Sequence, residues 1–268
     1  MSGTKAKRIL AYTIRHLYLY KRSLPRLMEV FYWPVLDLVV WGFVSIYLTR
    51  QEGRLPDFVT FFLSALILWD ILFRSQQGIS VSFLEDVWSR NLLNIFVSPL
   101  SASEYIISLL FLSIIKLILT STVMVTLAWL LYSFDIFVLG FPIIPLVANL
   151  IVMGWAIGIV TTALIMRFGQ EAEVLAWGVA LLFQPVSAVF YPVAVLPRGL
   201  QYIALLTPSA HVFEGMRQVI NEGTGAVPVE SVLWATGLNA AYITLAVLFF
   251  WWNFKVVKMK GLLAKVGE

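Results

Sequence analysis

The sequence is dominated by six long apolar stretches, at residues 30–48, 58–73, 105–131, 141–166, 174–195 and 232–252. A helix that crosses a lipid bilayer needs about 20 mostly apolar residues. Of the 268 residues, 60% are apolar and 13% are charged, whereas about 25% are charged in an ordinary soluble domain. We therefore predict an all-α integral membrane protein with six transmembrane helices, which excludes a soluble enzyme, a disordered chain and a nucleic-acid-binding module.

The basic residues are divided unequally between the two sides of such a bundle. Fourteen of the 19 Lys and Arg residues fall in the N-terminal segment, the second and fourth connections and the C-terminal tail, and four fall on the other side. Lys and Arg collect in cytoplasmic loops. The count predicts a multi-pass protein of a bacterial inner membrane with both termini in the cytoplasm. The basic region, from Lys5 to Arg26, is too long for a cleavable signal peptide.

We predict one membrane domain over residues 1–268, with a helix at 1–27, the bundle at 28–256 and a cytoplasmic tail at 257–268. Apolar residues in the first segment recur at helical spacing among basic ones, as in Ile9, Leu10, Ile14, Leu17 and Tyr18. This pattern is typical of a helix that lies flat on the cytoplasmic membrane surface. An ordinary positive flank of the first span is the alternative.

The connection after the second span predicts a short amphipathic helix at 82–94. Ser82 and Glu85 have the spacing of a capping box. An apolar face that includes Trp88 follows, with Asp86 and Arg90 outside it. Such a helix suits a groove in a soluble partner, and a helix resting on the membrane is the alternative.

The region before the last span predicts two short helices on the outer face, at 200–206 and 208–221. Pro192 and Pro197 interrupt the preceding segment, and Thr207 followed by Pro208 is a typical helix start. An apolar stripe that includes Phe213 leads to Gly223, a typical helix end. These re-entrant helices would form a structural plug or a functional lid.

Three charged residues, Asp37, Asp70 and Lys116, fall within the apolar spans. Such groups pair inside the bundle or line water. We predict an ion pair between Asp37 and Lys116 that fixes helix packing. The alternative function is a proton-coupled secondary transporter or channel that uses all three residues.

The sequence offers no constellation for bond-making chemistry. It has no Cys and only two His residues, which excludes thiolate sites and His-based metal clusters. It has no Gly-Lys dipeptide, which excludes a P-loop of the GxxxxGK[ST] type. An integral membrane enzyme is thus disfavoured, and we expect no bound cofactor or metal.

The order of these parts resembles the membrane subunit of ABC-2-type transporters. The most specific likeness covers residues 185–217, with Phe-Tyr-Pro at 190–192, Leu-Pro at 196–197, Pro208 and the final Arg217. A second lies at 91–103, which enters the third span, and a third at 22–34, which ends in Trp-Pro. Polysaccharide exporters of this group often carry Asn-Pro before the last outer helix, where this chain has Thr207-Pro208.

The resemblance implies a non-catalytic permease subunit of an exporter for an amphipathic drug, lipid or lipid-linked glycan. It implies two separate ATPase subunits that hold ATP and Mg²⁺, and a second permease subunit that makes a homodimer or heterodimer. The helix at 82–94 would be the coupling helix on the ATPase, with contacts from Ser82, Glu85, Asp86, Trp88 and Arg90. A second contact would come from Arg167, Gln170 and Glu171. The outer gate region would include Tyr191, Pro192, Pro197, Pro208, Phe213 and Arg217.

Overall fold

The computed structural model describes residues 2–52, 56–223 and 225–261. Within them the chain forms helices joined by short connections, with no strand. Three short 3-10 turns lie at Ile136–Leu139, Gly169–Ala172 and Val193–Val195. The α-helices of the described part are α1 (Ser2–Lys21), α2 (Leu24–Glu52), α3 (Pro56–Trp88), α4 (Leu92–Val97), α5 (Ala102–Tyr132), α6 (Ile143–Phe168), α7 (Leu175–Val186), α8 (Arg198–Leu205), α9 (Pro208–Glu222) and α10 (Val229–Met259).

Five of these helices, α2, α3, α5, α6 and α10, are long and apolar enough to cross a membrane. The predicted fifth span, 174–195, is not one long helix: α7 has 12 residues, a length of about 18 Å, against a hydrocarbon core of about 30 Å. The chain still returns between α6 and α10, because these two helices run parallel. Asn149 of α6 meets Asn239 of α10 near one end, and Arg167 meets Asn253 near the other.

Helix α3 lies at the centre of the bundle. In the most apolar 18 residues of α3, 72% of the residues are buried, against 17% in the same length of α10. Helix α3 is nevertheless the less apolar of the two, with a mean hydropathy of 1.3 against 1.7. Polar groups in a membrane helix are stable when other protein groups satisfy them. The polar residues of α3 therefore mark its contact with other helices rather than a doubtful span.

Small residues let α5 and α6 approach α3 closely. A Cβ atom added to Gly154 of α6 would lie 2.5 Å from the backbone oxygen of Leu72, and one on Gly158 would lie 3.0 Å from that of Gln76. On the other side, Gly78 of α3 faces the backbone of Ser113 in α5. Membrane helices lack a hydrophobic drive toward each other, so close backbone packing of this kind holds them together.

The predicted helix start at Ser82 is wrong. Helix α3 continues without a break to Trp88, and the Ser82 hydroxyl donates to the Gly78 backbone oxygen at 2.8 Å, within the same helix. A Ser hydroxyl inside a helix commonly bonds to the carbonyl four residues earlier. The predicted coupling segment at 82–94 is therefore the last turns of α3, a bend at Arg90 with φ of 51°, and the start of α4.

The last part of the chain contains the two short helices expected there. Helix α9 begins with Pro208 and ends at Glu222, and it is capped by Gly223, whose φ of 60° is left-handed. The expected tail at 257–268 begins inside a helix, because α10 continues to Met259. The rest of that expectation, residues 262–268, lies outside the described residues.

Candidate functional site

Two adjacent carboxylates near the end of α3, Glu85 and Asp86, form a buried charge cluster with α1 and α5. Asp86 accepts hydrogen bonds from Tyr12 of α1, from Arg15 at 2.9 Å and from Tyr105 of α5 at 3.1 Å. Four groups of the cluster, Tyr12, Glu85, Asp86 and Tyr105, are at most 6% exposed. The Asp86 carboxylate thus has a dense set of donors in place of water.

Glu85 has its own donors. The Tyr20 hydroxyl donates to Glu85 Oε1 at 2.5 Å and accepts from Lys116 Nζ, also at 2.5 Å. Lys116 donates to the Ser82 hydroxyl at 2.8 Å as well. The ammonium group of Lys116 therefore lies at the junction of α1 and α3, where it bonds to Tyr20.

His16 of α1 lies between the two carboxylates and is fully buried. Its Nδ1 is 3.4 Å from Glu85, and its Nε2 is 3.4 Å from Asp86. Burial alone would lower the pKa of His16, but the hydrogen bond to Asp86 and the charges of both nearby carboxylates outweigh it, so the pKa is raised above 6.5. Burial, with the charge of Asp86, also raises the pKa of Tyr12 well above 10. His16 is therefore suited to carry a positive charge here.

These contacts correct the expectation for Glu85 and Asp86. We expected Asp86 outside the apolar face of a surface helix, but both carboxylates point into the protein and tie α3 to α1. A partly buried ion pair joins α1 to α5, because Arg8 of α1 contacts Glu104 of α5 at 2.6 Å. Helix α1 is thus docked on the bundle by specific polar contacts, and not only by the general attraction of its basic residues.

The exposed part of the predicted coupling segment begins at Trp88. Trp88 is 42% exposed, and its indole N–H donates to Glu173 at 3.1 Å. Its ring also stacks on Trp177 of α7, with centroids 6.3 Å apart. Arg90 follows on the surface. The end of α3 and the connection before α7 thus form one continuous edge.

The residues of the second predicted contact have different positions. Arg167 reaches toward α10, where its guanidinium bonds to Asn253 at 3.3 Å and lies 5.2 Å from the Trp252 ring. Glu171 is exposed on the 3-10 turn. The side chain of Gln170 lies outside the described part of the structure. Arg167 is therefore engaged within the bundle.

The structure does not pair Asp37 with Lys116. Asp37 of α2 and Asp70 of α3 instead line one cavity of about 430 Å³. Asp70 accepts from Arg74, one turn further along α3, at 3.0 Å. Lys116 lies in the charge cluster with Tyr20. The sequence prediction failed because it fixed depth along each helix and not the direction in which each side chain points.

The expected outer gate residues form two groups. Arg217 of α9 donates to the backbone oxygen of Ala188 at 2.8 Å and pairs with Glu214 at 3.1 Å. Glu214 in turn accepts from the Val193 backbone N–H at 2.7 Å. Ala188 has a φ of 52°, a conformation that is uncommon outside glycine. Arg217 and Glu214 thus hold the sharp bend that follows α7.

The remaining gate residues frame that bend. Phe213 is fully buried in the bundle core, and Pro208 begins α9. The Tyr191 hydroxyl donates to the Pro185 backbone oxygen at 2.7 Å, and its side chain lines the cavity of Asp37. Pro192 and Pro197 precede the 3-10 turn and α8, respectively.

Residues 37–252 match the family described as ABC-2 family transporter protein. The chain belongs to this family. No curated protein matches it as a relative. ABC-2 membership makes the chain a transmembrane transport component and a multi-pass membrane protein, as the apolar spans and the motif order had indicated.

Several residues of the charge cluster and the cavity were not predicted from the sequence. His16, Tyr12 and Tyr20 were not predicted as partners of the α3 carboxylates, although a His within a basic segment opposite an acidic pair was a usable signal. Trp41 and Trp69, which line the cavity, look like packing residues in the sequence.

Proposed function

We propose that the chain is the membrane-spanning permease subunit of an ATP-binding-cassette exporter. Its cargo is an amphipathic drug, lipid or lipid-linked glycan, which it moves out of the cytoplasm or the inner leaflet. The observation that carries this proposal is the ABC-2 match over residues 37–252, together with five helices of membrane-spanning length among the described residues. The sequence has no Gly-Lys dipeptide, and a P-loop needs one, so a separate ATPase chain binds ATP and Mg²⁺.

In this proposal the end of the bundle that carries α1 faces the cytoplasm of a bacterium. The excess of Lys and Arg on that side supports the orientation. Two permease subunits, identical or different, stand side by side, and two ATPase subunits dock beneath them.

The ATPase contact is the exposed edge made by Trp88, Arg90, α4 and Glu171. The exposure of Trp88 and Arg90 supports this assignment. Glu85 and Asp86 act differently from the sequence expectation, because their buried bonds to α1 transmit movement rather than touch the ATPase. Closure of the ATPase pair pushes the end of α3, and α1 moves with it.

The alternating opening of the permease then changes the cavity that Asp37 and Asp70 line. It also changes the bend after α7, which Arg217 holds. Both α3 and α7 contribute to the cavity wall. A shift of α3 therefore changes the cavity that the substrate enters. The short length of α7 supports a path that opens beside it, since α7 alone spans only part of the bilayer.

The test is purification of the tagged chain from its native membranes, followed by reconstitution in proteoliposomes. We expect an ATPase subunit to co-purify and ATP hydrolysis to be measurable. Trp88→Ala combined with Arg90→Glu should reduce both the bound ATPase and the hydrolysis. Trp129→Ala is the matched control, because Trp129 is 62% exposed near the far end of α5. Full transport without an ATPase, abolished by a protonophore, would overturn the proposal.

A further inference from the structure

The cavity of about 430 Å³ is built mainly by α2, α3, α7 and the bend after α7. Ligand pockets for drug-sized molecules have about 300–1,000 Å³. Its polar lining is acidic or neutral, with Asp37, Asp70, Gln184 and Tyr191. Its aromatic lining consists of Trp41, Trp69, Phe73 and Phe190.

The charges of the cavity wall do not balance. Asp70 is 8% exposed, and its Oδ1 accepts from Arg74. Its other oxygen, Oδ2, is buried with no hydrogen-bond partner within the protein. Asp37 contributes a second carboxylate, and no described lining residue is Lys, Arg or His. With Arg74 counted behind the wall, one negative charge remains.

A buried polar atom without a partner is costly, and a carboxylate on the exposed side of a membrane-spanning helix, such as Asp37, is costly as well. A ligand cation would relieve both. Aromatic faces beside the carboxylates add to this, because Trp attracts cations most strongly among the aromatic residues. An anionic or neutral ligand of the same size would leave the carboxylates unbalanced.

We propose that this cavity is a binding subsite for organic cations, in which an ammonium-type or phosphonium-type charge sits between Asp37 and Asp70 and an apolar body contacts Trp41, Trp69 and Phe73. A role of this subsite in export rests on the proposed function. The same chemistry is found in free lipophilic cations and in the ammonium headgroup of a phospholipid.

The test measures equilibrium binding of radiolabelled tetraphenylphosphonium to the full-length chain in nanodiscs of phosphatidylglycerol, with empty nanodiscs subtracted. Tetraphenylborate has the same shape and the opposite charge, and serves as the matched probe. We expect saturable binding of the phosphonium and none of the borate. Asp37→Asn should weaken phosphonium binding at least about tenfold, since it removes one charge of a partly desolvated pair.

Trp41→Leu, also on the exposed side of α2, should weaken binding by a smaller factor. Glu222→Gln is the control, because Glu222 is exposed at the end of α9 and outside the cavity. Binding that Asp37→Asn leaves unchanged, or equal binding of the borate, would overturn the proposal.

Nanodiscs that contain phosphatidylethanolamine distinguish the two sources of the cation. Weaker phosphonium binding there assigns the site to a lipid headgroup, and unchanged binding assigns it to a free cation. No binding in either lipid refutes the subsite but leaves the permease assignment intact, because this assay needs no ATPase. Conversely, loss of the ATPase partner would refute the proposed function and leave the binding result unaffected.

Discussion

Removing the charge of Asp86 should release α1 from the bundle. The Asp86→Asn variant keeps the shape of the side chain but loses the carboxylate that accepts from Tyr12, Tyr105 and Arg15. Breaking a buried charge cluster by removing one partner costs about 3–5 kcal/mol. Since Arg15 is itself partly exposed, we expect the lower end, about 3 kcal/mol.

The magnitude can be read from cysteine labelling, because the chain has no Cys of its own. Thr13 of α1 is 5% exposed, so a Thr13→Cys thiol reacts with a soluble maleimide only when α1 leaves the bundle. A loss of about 3 kcal/mol raises the open population, and hence the labelling rate, by about a hundredfold. Tyr12→Phe removes one hydrogen bond to a charged group, about 1.5–3 kcal/mol, and should raise the rate by at least about tenfold.

Two controls make this result specific. Lys7→Cys, on the exposed side of α1, should label at the same rate with and without Asp86→Asn. Glu222→Gln, at the far end of the molecule, should leave the labelling of Thr13→Cys unchanged. If Asp86→Asn does not accelerate labelling of Thr13→Cys, then the buried cluster does not hold α1, and the reasoning is wrong.

Three further predictions concern pH and packing. His16 has a raised pKa in the folded chain, so its protonated form stabilises docking of α1 below pH 6.5, and this contribution is lost as the pH rises through the folded pKa. The labelling rate of Thr13→Cys, corrected by the rate of Lys7→Cys, should therefore increase with pH. His16→Gln should flatten that dependence. Gly154→Ala should lower the thermal stability by about 1–3 kcal/mol through overpacking against Leu72, whereas Gly178→Ala, with open space around it, should not, as a thermal unfolding assay in detergent can show. Arg217→Lys should lose the contact that holds Ala188, at about 1–3 kcal/mol, and Arg198→Lys, at the exposed start of α8, should be neutral in the same assay.

The boundaries of a helix can be predicted from the sequence where a residue such as Pro interrupts the helical pattern. The motif Ser-x-x-Glu occurs twice, at Ser82 and at Ser101, and only the second forms a capping box, with Glu104. Pro99 precedes Ser101 closely and prevents a helix from running through it. Before Ser82 the helical pattern continues without interruption, so the motif alone could not start a helix.

The pairing of charges could not be predicted in the same way. The positions of Asp37 and Lys116 within their apolar stretches indicate their depth in the helices, but the rotation of each helix depends on its neighbours. In this fold the rotation of α2 brings Asp37 to the cavity, and α1 supplies Tyr20 to Lys116. A helix that combines aromatic and basic residues, as α1 does, has many possible partners, and tertiary packing selects among them.

The polar residues that lower the hydropathy of α3 connect the separate sites. Its Asp70 lines the cavity, its Gln76 donates to the Ala176 backbone oxygen of α7 at 3.0 Å, and its Asp86 holds α1. From Asp70 to Asp86 the helix rises about 24 Å, and the bonds of Gln76 and Asp86 replace water with protein groups of α7 and α1. An apolar helix in this position would pack as well, but it would lack these directional bonds to α1 and α7. The polar residues fix α3 to both, and we therefore expect a push on its Trp88 end to reach the cavity as a movement of the whole helix.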